Sequence, residues 1–235
     1  YNISVLTNTP QERWEWGNKG ISLVRDEGLR YNPNDILLYK DLAWWLGHKV
    51  DGVSDDAHLH YKREFAHEWN NLLGVPPMGR PQREAWIKVV ADAPDTLSAA
   101  IDRTPAVAVL VERLNEGMSE YIPNKEFELD EKLLAQVAWW DAIQSQSWIA
   151  QKLQAEGLLE EMDDPMLAVL DDLLSEDELA EAWDTLLAYL RKQILRDQYN
   201  MDAELMYEYT RDLGPLDWRH PQAHSLYWSR LGSQT

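Results

Sequence analysis

Apolar residues recur at three–four spacing through most of this chain, and Leu179, Trp183, Leu186, Leu190 and Ile194 show the pattern best. That spacing is the buried stripe of a helix. No segment alternates apolar and polar positions as a half-buried strand does, so the pattern predicts an all-α fold. Helix starts are legible from caps. Thr9-Pro10-Gln11-Glu12 places an N-cap, a proline at the first helical position and a glutamate three residues after the cap. The first helix then runs over about 10–30, with Trp14, Ile21 and Val24 among its apolar positions.

The turn Asn32-Pro33-Asn34-Asp35 opens a second helix carrying Leu38, Leu42, Trp45 and Leu46, with Gly47 and Asp51-Gly52 at its end. Ser54-Asp55-Asp56 starts a third, with Tyr61, Phe65 and Trp69 on one stripe, and Gly74-Val75-Pro76-Pro77 stops it. Prolines then punctuate the chain. Short helices are predicted over 81–91, 94–102 and 104–116, followed by a loop over 121–128. A long helix over 130–155 rests on Leu133, Val137, Trp140 and Trp148. Asp164-Pro165 caps a short helix, Ser175-Glu176-Asp177-Glu178 reads as a capping box, and Asn200 reads as the cap of a helix that Gly214-Pro215 ends. Pro221 starts the last helix.

Gly28 stands five residues before Pro33, and Tyr39 six after it, which is the junction between successive tetratricopeptide-type repeats. Pro221 and Tyr227 repeat the six-residue interval. Arg25 departs from the pattern, because the position three before Gly28 takes a bulky apolar residue. The middle of the chain keeps no 34-residue period. The expectation is a tetratricopeptide-like helical solenoid with degenerate repeats and an irregular helical middle. It divides into repeats over 1–74 and an acidic continuation over 75–235.

The segments 32–44, His48-Lys49 and 55–62, together with 214–228, resemble a group of uncharacterised tetratricopeptide-like helical-repeat proteins of planctomycete and verrucomicrobial bacteria. The resemblance covers about a third of the chain, at both ends. It implies a scaffold at or near a membrane, often behind an N-terminal anchor, and supplies no reaction and no catalytic residues. The chain does not begin with Met, and residues 1–6 read as the end of an earlier helix, so a longer protein is expected.

Charge sharpens the picture. Residues 1–90 carry 12 acidic and 11 basic side chains, while 91–235 carry 29 and 11. The segment 156–184 holds 12 carboxylates and no Lys or Arg. Such a surface repels phosphate backbones, so nucleic acid is excluded as an expected partner. It suits a solvated face or a basic protein partner. No apolar run approaches the roughly 18 residues of a membrane helix. The absence of cysteine excludes disulfides, thiol catalysis and zinc–thiolate sites.

The chain has 12 Trp against 2 Phe, with adjacent pairs at Trp44-Trp45 and Trp139-Trp140. Neighbours on a helix point about 100° apart, so both members of a pair are buried only where the helix is covered on two sides. Most of these rings are expected in the core. Trp16 is the exception, two residues from Trp14 and on the other side of its helix. Trp16, Tyr39, Lys40 and Trp44, with His60 as an outlier, are the expected partner-binding residues, for a protein or peptide.

One constellation suggests another chemistry. His60, Glu64 and His67 fall at i, i+4 and i+7 on one helix face, with the Glu-x-x-His spacing of carboxylate-bridged metal bundles. A second Glu-x-x-His and a His-Glu-x-x-His are both absent. Asp55 or Asp56 could also orient His58. A metal-dependent enzyme or binding protein using His58–His67 is therefore the alternative to a non-catalytic scaffold. The plain reading is a polar stripe and a cap between helices. The acidic block lacks the alternating Asp and central Gly of a calcium loop, and no cofactor motif is present.

Overall fold

The computed structural model describes residues 6–123, 126–144 and 166–235. Among these it is all-helical, with no strand. The helices are α1 (10–31), α2 (36–50), α3 (His58–Leu73), α4 (Arg80–Ala91), α5 (Leu97–Arg103), α6 (Ala106–Tyr121), α7 (Glu131–Gln144), α8 (Met166–Leu174), α9 (Ala180–Asp197), α10 (Ala203–Leu213) and α11 (Pro221–Gln234). Two compact units form. Unit 1 holds the described residues up to Asn70, with Pro76–Ala91 and Leu195–Thr235. Unit 2 holds Asn71–Val75 and, of its second segment Asp92–Ile194, the described residues. The parts of the long 130–155 helix beyond Gln144, Trp148 included, and the Asp164-Pro165 cap lie outside the described residues.

The caps at both ends of unit 1 form as the local sequence dictates. Thr9 accepts the amide of Glu12 at 3.2 Å, and Pro10 and Pro221 occupy first helical positions. Other ends differ in part from the sequence reading. The Asp51-Gly52 end of α2 forms as read, but Gly47 lies within the helix, in a π turn over Trp45–Val50. A side chain at Gly47 would meet Ser225 Oγ at 2.9 Å, so α11 requires a small residue there. The capping box at Ser175 is not made. Asp177–Leu179 is a 3-10 turn, and the cap-position Glu176 makes no capping bond but forks onto Arg113 instead. Asp202, not Asn200, caps α10 by accepting the amides of Glu204 and Leu205. Asn200 sits at φ +49° and donates its side-chain amide to the Arg25 carbonyl at 3.1 Å.

Unit 1 has an aromatic core. α11 lies along α2, and α10 along α4. Gly232 of α11 permits this approach, since a Cβ there would stand 2.5 Å from Tyr39 Cβ. Tyr61, Phe65 and Trp69 of α3 are all buried, as their stripe predicts, with Trp218, Tyr227 and Trp228. His224 sits among them, its ring centroid 4.9 Å from Phe65, 4.0 Å from Trp69 and 5.5 Å from Trp218. Its Nε2 is 2.7 Å from the Trp218 carbonyl. A carbonyl only accepts, so Nε2 carries the proton. Burial lowers the His224 pKa to about 3, against the weaker upward pull of that hydrogen bond, and the ring is neutral.

This buried imidazole sets a pH dependence. An unfolded His224 protonates near pH 6.5, whereas the folded one resists down to about 3. The unfolded state therefore binds the extra proton in between, and stability falls as pH drops through that window. The slope from this residue is up to roughly 1.4 kcal/mol per pH unit. Urea unfolding from pH 7 to 4 is expected to show a shallower decline for His224→Gln, which keeps a donor, than for the wild type. Equal slopes would refute the assignment.

Unit 2 packs α6 on α8 and α5 on α6. Its core includes Val107, Leu110, Leu114, Leu170, Leu173, Trp183 and Leu186. The α9 stripe read from the sequence is buried at all five positions, and Trp183 donates to the Leu173 carbonyl at 3.0 Å. No described helix is long and apolar enough to cross a membrane.

Candidate functional site

The α1–α2 hairpin of unit 1 gathers most of the sequence-predicted residues. Its two helices are joined by a short turn at 32–35 and run antiparallel. A side chain at Gly28 would touch Leu38, and Gly17, Ile21 and Trp45 border one crevice. The inner seam therefore passes through 17, 21 and 28 on α1 and 38 and 45 on α2. Trp16, Leu37 and Trp44 each directly precede a seam residue, about 100° around the helix. In antiparallel neighbours that rotation leads to the same side of the pair. Leu23 follows Trp16 by two turns on that side.

The resulting face is exposed and apolar. Trp16 is 43% exposed, Leu23 64%, Leu37 63% and Trp44 47%. Lys19 lies over the Trp16 ring at 5.2 Å, and His48 stacks on Trp44 at 4.5 Å with 10° between the planes. Lys40 is exposed on the same helix. Tyr39 is not on this face. It is 7% exposed, donates to the Pro33 carbonyl at 2.8 Å and packs against Trp228. A residue expected on a binding surface is thus a core residue, because α11 covers that side of α2.

Both helices contain a π turn, over Leu23–Gly28 and Trp45–Val50. The wider turn lets Leu29 N–H bond the Val24 carbonyl and Asp51 N–H bond the Leu46 carbonyl. Each turn buries one cation, Arg25 and Lys49. Arg25 stacks on Tyr199 at 4.3 Å and pairs with Asp26. Nearby, burial raises the Glu68 carboxyl above its ordinary range, against the lowering effect of Arg25 and the Tyr199 hydroxyl.

Lys49 meets a second hub. Asp55 accepts Lys49 Nζ at 2.8 Å, Tyr61 OH at 3.0 Å, Arg13 Nη1 at 3.3 Å and the Ala57 amide at 3.0 Å. Burial alone would raise this carboxyl, but the hydrogen bonds from Lys49, Ala57 and Tyr61 hold it well below the ordinary range. Burial and Asp55 push Tyr61 up to about 12. One aspartate thus ties α1, α2 and the start of α3 together. The adjoining crevice, lined by Arg13, Trp14, Trp45, Lys49 and Tyr61 among others, is about 10 Å³, room for at most one water molecule.

Among the described residues, the partners that the sequence suggests for the histidine helix do not converge on it. Asp55 and Asp56 are engaged by cations, not by His58. His60 Nδ1 lies 3.6 Å from Glu64, and His67 is exposed. The buried nitrogens His58 Nδ1 and His60 Nε2 have no hydrogen-bond partner among the described residues. Among those residues no three of His, Asp and Glu are placed to hold a metal ion.

The sequence reading missed Leu23 and Leu37, and the Lys49–Asp55 hub. The seven-residue intervals Trp16–Leu23 and Leu37–Trp44 were the available signal for the former. Comparison with protein-family models, with curated proteins and with solved structures finds no match to this chain.

Proposed function

We propose that this chain is a non-catalytic protein-interaction scaffold of tetratricopeptide-like, degenerate helical repeats. Its α1–α2 face receives a helix or peptide of a protein partner. The observation that carries the reading is the exposure of Trp16, Leu23, Leu37 and Trp44 on one side of a hairpin whose other side is packed. Tryptophan is the residue type that most often dominates interface energy, and seven-residue spacing on both helices suits a helical occupant. The formal charge of −19 argues against nucleic acid and leaves room for a basic region in the partner. The resemblance to bacterial helical-repeat proteins supports a scaffold near a membrane.

Affinity capture from native lysate, washed at low and high salt, tests the proposal. Wild-type protein is expected to retain one stoichiometric partner, and Trp44→Glu to retain at least tenfold less while keeping its helical circular dichroism. Capture of nothing, or equal capture by the two proteins, would overturn it. The second reading is a metal-dependent protein using the His58–His67 helix. It rests on His58 Nδ1 and His60 Nε2, which have no hydrogen-bond partner among the described residues. Stoichiometric zinc retained through gel filtration would favour it.

A further inference from the structure

We propose that the partner on the α1–α2 face is a second copy of this chain, the two hairpins closing face to face into a four-helix bundle. The inference rests on the interaction-scaffold reading above and names its partner. Two antiparallel helices with exposed apolar side chains along one side are half of such a bundle. Six such side chains are present: Trp16, Leu23 and Tyr31 on α1, and Ile36, Leu37 and Trp44 on α2. Tyr31 is 74% exposed and Ile36 55%.

The order of residues along the face is self-complementary. A two-fold axis crossing α1 at Leu23 sets Leu23 against its own copy. It brings Lys19, four residues before, to Glu27, four residues after. Both are exposed. Opposite charges thus meet twice by symmetry. The same operation on α2 turns about Lys40-Asp41 and brings Leu37 to Trp44. A two-fold interface needs this kind of self-matching patch, with residue i on j and j on i.

The area is also adequate. Aromatic side chains cover about 150–250 Å² each when whole, so the three part-exposed rings and the three aliphatic side chains reach several hundred Å². That is comparable to the largest patch of a typical monomer, and the charged residues around it extend it toward the roughly 800 Å² that one partner gives a stable complex. Every residue used lies in unit 1.

Sedimentation equilibrium of the purified chain from about 1 to 100 µM tests the pairing, a range that brackets ordinary dimer affinities. The wild type is expected to show a monomer–dimer equilibrium, and Leu23→Glu to weaken it at least 100-fold. Lys19→Glu alone should weaken it, and Lys19→Glu with Glu27→Lys should restore it, because the swap rebuilds both ion pairs across the axis. Restoration distinguishes this two-fold pairing from nonspecific apolar association, which the swap would not rescue. A wild type monomeric at 100 µM, or a double swap no better than the single variant, overturns the proposal. Trp44-dependent lysate capture then decides separately whether the scaffold reading stands. If it persists, only self-pairing is lost, and if it fails too, both readings fall.

Discussion

Trp218→Ala is expected to destabilise the protein by about 3–5 kcal/mol, the usual cost of removing a large ring from a filled core. Trp218 is fully buried and holds both of its polar handles. Its indole N–H donates to Thr210 Oγ1 at 3.1 Å, and that hydroxyl donates to the Met206 carbonyl at 2.9 Å. Its own carbonyl receives His224. The ring lies edge-on to Tyr227 at 6.1 Å. Loss of the ring leaves a cavity beside His224, the neutral imidazole that fixes α11. Since a domain has only about 5–15 kcal/mol in total, the variant is expected to unfold at a much lower urea concentration. Trp218→Phe, which keeps most of the volume but not the N–H, should cost less. The effect reaches the exposed α1–α2 face because α11 is the surface on which α2 rests. Ser225 donates to the Ala43 carbonyl at 2.6 Å, one residue before Trp44. A loss below 1 kcal/mol for Trp218→Ala, on this reasoning, would mean that α11 is held by something other than this network.

The parts of this molecule that sequence reveals are those with a local physical cause. Thr9-Pro10 and His220-Pro221 announce helix starts because the cap and the proline satisfy their own first turns. The Tyr61, Phe65 and Trp69 stripe is legible because one buried side imposes the helical period. The π turns are not legible. They coincide with the burial of Arg25 and Lys49 beside Tyr199 and Tyr61, residues 174 and 12 positions away, and no local pattern encodes those contacts. Arg25 therefore looked like a lapse in a repeat, where the structure gives it a ring to stack on. Tyr39 shows the matching limit. Periodicity states that α2 has a buried side and an exposed side, but α11, which decides which is which, lies nearly 200 residues further on. Asn200 and Asp202 are both good caps by composition. Asn200 takes a positive φ and turns to Arg25, which leaves the capping to Asp202.

Asp55→Ala should cost about 3–5 kcal/mol near neutral pH, because it removes a carboxylate paired with a buried cation. Lys49 is 8% exposed and lies 2.8 Å from Asp55. The same substitution leaves Tyr61 without its hydrogen-bond acceptor and uncaps the start of α3 at Ala57. Asp55→Asn keeps an oxygen for Ala57 but no charge for Lys49, so it should fall between the wild type and alanine. The pH dependence separates charge from packing. The folded carboxyl titrates well below its ordinary range, so its contribution is complete above the unfolded value near 3.9. Below that value the unfolded chain takes a proton that the folded chain refuses. The wild-type advantage over Asp55→Ala should then be level from pH 8 to 5 and shrink by roughly 1.4 kcal/mol per unit below about pH 3.9. An advantage that stays flat from pH 5 to 3 would assign the cost to lost packing and remove the ion pair from the account. The consequence for the exposed face is direct. Asp55 joins Arg13, one turn before Trp16, to Lys49, one turn after Trp44 and Trp45, so this carboxylate helps to hold α1 and α2 in the register that leaves both tryptophans exposed.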